Sequence, residues 1–165
     1  MIYITGDTHS NFSRFTEDKF PIQSEMTKDD FVIICGDFGG VWTFEEERIN
    51  EYRKRGAYFR IRDFSWWDLE LPKNQEMENG IKNLEKVNYK VDYIISHCCP
   101  TSIQTLINPI YKKDTLTDYL QQISEKSTFK KWYFGHYHDN RQINSQYALL
   151  YEDIVPLEYE SIFWK

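Results

Sequence analysis

The chain has little with which to build a disulfide framework: it carries three cysteines, an odd number, and two of them are neighbours, Cys98 and Cys99. It has no apolar run near the roughly 18 residues that a membrane span requires. It begins on a strand pattern, with neither a charged n-region nor an apolar h-region. A cytoplasmic protein that engages no membrane is therefore expected. A basic excess is also missing. The formal net charge of -6 and a pI near 5.3 argue against strong non-specific binding to nucleic acid. Repeats, low-complexity tracts and linkers are absent, and 165 residues leave no room for a second full domain. One domain over 1–165 is expected, burying about 70% of its surface on folding.

Histidine is scarce as well, at four residues, and it is placed with a pattern. Gly135-His136-Tyr137-His138 closes the apolar run Trp132-Tyr133-Phe134, which reads as a buried strand stopped by a glycine. Side chains two apart on a strand point the same way, so both imidazoles are expected to face one point beyond it. An isolated H-x-H is more often one surface residue and one satisfied core residue. Here the other two histidines also follow apolar runs, His9 in Ile2-Tyr3-Ile4-Thr5-Gly6-Asp7-Thr8-His9 and His97 in Val91-Asp92-Tyr93-Ile94-Ile95-Ser96-His97. A further run, Phe31-Val32-Ile33-Ile34-Cys35, ends in Gly36-Asp37.

Four strand ends thus deliver two carboxylates and four imidazoles. In an open α/β sheet, ligands gather outside the carboxyl ends of the strands, so these endings are expected to share one site. Mixed oxygen and imidazole donors suit Mn, Fe or Zn better than Mg or Ca. Asp7 alone would read as the N-cap of a short helix over 11–20, but its company favours a ligand. Asp37 follows a glycine that permits a sharp turn, and its two oxygens could bridge two cations. Cys35, inside a strand, reads as core packing. Cys98 and Cys99 read first as ordinary loop thiols and only second as metal or redox groups.

The order D-x-H, G-D, H and G-H-x-H resembles the calcineurin-like metallophosphoesterase family. The stretches Gly36-Asp37-Phe38-Gly39-Gly40-Val41-Trp42 and Phe64-Ser65-Trp66-Trp67 are similar to those of its small bacterial and phage members. The resemblance implies an α/β (α+β sandwich) fold with two central β-sheets flanked by helices. It implies two divalent ions, Mn, Fe, Zn or Ni, and hydrolysis of a phosphomonoester or phosphodiester, nucleotides included, by a metal-bound hydroxide. Carried over by motif, Asp7, His9, Asp37 and His138 would hold the first metal. Asp37, His97 and His136 would hold the second and form the catalytic set.

Two departures from the family stand out. Ser10 occupies a position usually held by glycine. The family's G-N-H-[DE] strand, source of an asparagine ligand and of the histidine that protonates the leaving group, has no counterpart; residues 57–72 instead resemble a later region. An internal deletion, a weaker second site and reduced activity are expected. The alternative is an impaired family member that binds metal or a nucleotide and regulates or sequesters without turnover.

Between the motifs, 43–55 reads as a helix, with Glu45-Glu46-Glu47 near its start and Arg53-Lys54-Arg55 at its end. Arg60 and Arg62 alternate with apolar residues at strand spacing. An amphipathic helix is expected over 74–87 through Met77, Ile81, Leu84 and Val87. A polar loop is expected after Pro100, and a helix over 114–126 through Leu116, Tyr119, Leu120 and Ile123. A hairpin around Asn144-Ser145 is expected to continue to Val155. The aromatic share of 17% predicts ringed core layers, or rings lining a pocket.

Overall fold

A computed structural model describes residues 1–39 and 71–157. The strands, in chain order, are β1 (Ile2–Thr5), β2 (Phe31–Ile34), β3 (Tyr93–Ser96), β4 (Lys131–Phe134), β5 (Arg141–Gln142), β6 (Tyr147–Leu149) and β7 (Val155–Pro156). The helices are α1 (Asn74–Lys86), α2 (Thr101–Ile107) and α3 (Thr115–Lys126). One sheet has the order β2-β1-β7, with β1 parallel to β2 and antiparallel to β7. The other has the order β3-β4-β6-β5, with β3, β4 and β6 parallel and β5 antiparallel to β6.

Alternation along the strands divides the core into two layers. On β4, Trp132 and Phe134 pack with Ile103 of α2 and with Leu120 and Ile123 of α3, and Ile81 and Leu84 of α1 lie against this cluster. Tyr133, between them in sequence, faces the other way and meets Ile4 of β1, Cys35 and Ala148 of β6. The β6 strand repeats the pattern, with Tyr147 and Leu149 in the helical layer and Ala148 and Leu150 in the layer between sheets. All four residues of β4 are buried on both faces, as expected of a central parallel strand. Its residues Trp132, Tyr133 and Phe134 are ringed, so aromatic core layers are present. The mixed α/β class read from the sequence is the class observed.

Several elements differ from the sequence reading. Residues 11–20 hold a single 3-10 turn, Ser13–Phe15, in place of a helix. The segment after Pro100 is the two-turn helix α2; its Thr, Ser and Gln content hides a buried face of Ile103 and Gln104. The hairpin forms as β5 and β6, but the chain then leaves that sheet, and Val155 pairs with Ile4 in the other. Helices α1 and α3 lie where the periodicity places them. The helix read over 43–55, Gly40-Val41-Trp42, Arg60 and Arg62, and Phe64-Ser65-Trp66-Trp67 lie outside the described residues. Among the described residues no helix is long and apolar enough to cross a membrane.

Candidate metal centre

The parallel strands β1, β2, β3 and β4 end in the loops that carry the six residues singled out in the sequence, and the structure brings all six together. Two imidazole pairs form. His9 Nε2 lies 2.8 Å from His138 Nε2, and His97 Nε2 lies 2.9 Å from His136 Nδ1. The H-x-H doublet therefore gives one histidine to each pair, and the expectation that both rings face a single point is corrected. The reason is local: β4 stops at Phe134, and His136 (φ 71°) and His138 (φ 50°) are left-handed, so strand alternation no longer sets their directions. His9 (φ 43°) and Ser10 (φ 63°) are left-handed too. Non-glycine residues in this region cost of order 1–3 kcal/mol each and cluster at functional sites.

Asp7 lies beneath both pairs and is fully buried. It is not a helix cap. Its Oδ1 accepts from the Asp37 amide at 2.7 Å and its Oδ2 from the His136 amide at 2.6 Å. The same two oxygens also face the rings, Oδ2 at 3.8 Å from His138 Nε2 and Oδ1 at 3.3 Å from His97 Nδ1. On the first pair Asp7 is thus placed as a donor beside the facing nitrogens. On the second it contacts the ring nitrogen turned away from His136, which favours a proton on Nδ1 and leaves Nε2 as the ligand atom. Burial pushes the Asp7 carboxyl up, but the His97 contact and the amides of Asp37 and His136 outweigh it, leaving its pKa below the ordinary 3.8.

Asp37 is exposed and stands between the pairs. Its Oδ1 is 3.9 Å from His97 Nε2 and its Oδ2 is 4.0 Å from His9 Nδ1. These separations are too long for hydrogen bonds. The first suits two ligands of one ion, since bonds of about 2.1 Å each span up to about 4.2 Å. The second involves the His9 nitrogen turned away from His138, so a rotation of the exposed carboxylate is needed to join that pair. Two nitrogens bound at a right angle to one ion at about 2.0–2.1 Å lie about 2.9 Å apart, the spacing found in both pairs. Two compact donor groups result, Asp7 with His9 and His138, and His97 with His136 and Cys98; within each, the ligand atoms lie within 4.8 Å of one another. The donor set therefore fits a pair of divalent cations.

Glycines make the crowding possible. A Cβ on Gly36 would fall 1.6 Å from Asp7 Oδ1, and one on Gly135 would fall 2.4 Å from the Cys35 carbonyl oxygen. Gly39 (φ 72°) lets the second loop lie against the first, where the amides of Thr8 and His9 both donate to the Asp37 carbonyl, at 2.9 and 3.0 Å.

Several supporting residues carry no sequence signal. Arg14, buried, donates to the carbonyl of Asp7 at 2.7 Å, to that of Gly6 at 3.3 Å and to that of Tyr151. Besides these main-chain groups it donates to Thr5 Oγ1 at 3.0 Å, and no residue pattern announces the set. Tyr151 stacks on the His138 ring at 4.7 Å and 17°. Tyr137, between the doublet's histidines, donates to Gln104 at 2.9 Å and accepts from the Cys99 thiol at 3.4 Å. Burial raises the thiols of Cys98 and Cys99 to about 12, and burial raises that of Cys35 to the same value. Cys35 is buried in the layer between the sheets, as the sequence suggests.

No family model, no curated protein and no solved structure matches the chain. What the site can do is set by its own atoms.

Proposed function

We propose that the chain is a divalent-metal-dependent phosphoesterase of the calcineurin-like metallophosphoesterase kind. The observation that carries this reading is the convergence of four strand-end loops into two adjoining donor groups, with Asp7 touching both and Asp37 standing between them. Two stacked sheets with the loops at their strand ends support it.

Bound in such a site, paired cations lower the pKa of water, orient an in-line attack at phosphorus and neutralise charge on the phosphoryl oxygens. The chain's own residues supply the rest. Asp7 holds its position through two amides and keeps its charge through a lowered pKa. His9, His97, His136 and His138 offer ring nitrogens, and the exposed Asp37 can turn to serve either side. The site faces solvent through Asp37, His9, His136 and His138, so a phosphate ester can reach it.

A leaving-group acid is harder to find. The chain has four histidines and the two pairs use them all. General acid catalysis contributes about 10² to 10⁴ in rate. Esters with good leaving groups should therefore be hydrolysed far faster than alkyl esters. The same observation favours a second reading, a protein that binds metal or a nucleotide in a regulatory or sequestering role without turnover.

Hydrolysis of bis-p-nitrophenyl phosphate with added Mn²⁺ separates the two. The phosphoesterase reading expects metal-dependent turnover that falls at least about 10²-fold in Asp37→Ala and in His97→Ala. Metal uptake with no turnover on aryl or alkyl esters would leave the sequestering role instead.

A further inference from the structure

The second donor group holds a residue that the motif comparison does not assign. We infer that Cys98 is a ligand of the second cation, completing a His97–Cys98–His136 site in place of the asparagine that the family's G-N-H strand would bring. This deepens the two-cation reading and rests on it.

The ligand atoms of these three residues lie within 4.8 Å of one another, and His97 Nε2 and His136 Nδ1 are 2.9 Å apart. Bonds of about 2.3 Å to sulphur and about 2.0–2.1 Å to nitrogen close such a group around one ion with small side-chain adjustments. The backbone at Cys98 is fixed, because its carbonyl accepts from Ser96 Oγ at 2.5 Å, and that hydroxyl accepts in turn from Trp132 Nε1 at 2.7 Å. The adjacent thiol behaves differently. Cys99 is fully buried and donates to Tyr137 Oη at 3.4 Å. Both cysteines pack in the helical layer, but only the Cys98 sulphur groups with the two imidazoles.

Coordination releases the Cys98 proton to solvent as the metal–sulphur bond forms. The two sites then differ in character. Imidazole with thiolate selects Zn or Fe, whereas Asp7, His9 and His138 form a harder set that accepts Mn. A mixed metal pair follows, with the softer ion beside His97.

Cobalt(II) titration of the metal-free protein, followed by near-ultraviolet absorption and by elemental analysis, tests the assignment. The wild-type protein should develop a sulphur-to-cobalt charge-transfer band, which Cys99→Ser retains and Cys98→Ser loses while cobalt stays at the Asp7 group. X-ray absorption of the zinc-loaded wild type needs no variant and should show a sulphur neighbour at about 2.3 Å. Uptake of cobalt at both groups without the band, or a band that survives in Cys98→Ser, would overturn the role of Cys98 and leave the two-cation site standing. Failure to take up any cobalt would overturn both.

Discussion

At the scale of single residues, the buried carboxylate of Asp7 organises the centre and Gly36 admits it. A methyl group on Gly36 would collide with Asp7 Oδ1 at 1.6 Å and approach His97 Nδ1 at 3.0 Å, while two amides prevent the carboxylate from retreating. Gly36→Ala should cost about 1–3 kcal/mol in urea unfolding and abolish tight metal uptake in calorimetry; unchanged uptake would mean that the loop relaxes freely. Proton equilibria follow from the same contacts. Burial and the charge of His9 lower the pKa of His138 below 6.5, against the opposing pull of Asp7 and Asp37. The unfolded chain then binds a proton that the folded chain refuses, so in the metal-free protein the His138 contribution to stability is complete above about pH 6.5 and is lost as pH falls through the folded value. The lowered Asp7 pKa has the same sign in a lower window: its contribution is present above 3.8 and is lost as pH falls through the folded value. A proton NMR titration of the metal-free chain should place the His138 midpoint below 6.5, and a midpoint at or above it would contradict the desolvated setting.

At the scale of elements, helix α3 is fastened at its start by a reciprocal cap. Asp114 accepts from the Thr117 amide at 2.9 Å, and Thr117 Oγ1 accepts from the Asp114 amide at 3.0 Å. Asp114→Ala should therefore cost about 0.5–2 kcal/mol in thermal unfolding without changing metal affinity. The α3 periodicity is readable in the residues, as are the strand ends, because apolar runs stopped by glycine or a polar residue leave a local mark. Other features leave none. The doublet's histidines separate because His136 and His138 take left-handed backbone, a conformation that histidine adopts more often than most residues but too seldom for its presence alone to announce it. Asp7 looks like a cap by local rules because the amides it serves belong to Asp37 and His136, distant in sequence. Arg14 carries no local signature, yet its buried guanidinium binds main-chain carbonyls of two loops. Helix α2 is too short and too polar for periodicity to mark it.

At the scale of the whole molecule, the last part of the described chain passes through both sheets. It pairs beside β4 as β6, ending at Leu149, and reappears beside β1 as β7 at Val155. Between them the Leu150 amide donates to Phe134 at 2.9 Å, and the Gly6 amide donates to Tyr151 at 3.2 Å. One continuous length of backbone is thus stitched to the strand ends that carry Asp7 and His136. Neither layer can melt and leave the other with its edge satisfied, so the pair should behave as one cooperative unit. Tryptophan fluorescence and far-ultraviolet dichroism should lose signal at the same denaturant concentration, and amide exchange should protect β1 and β4 equally. A cut in the chain between Leu150 and Val155 would release both halves of the centre together.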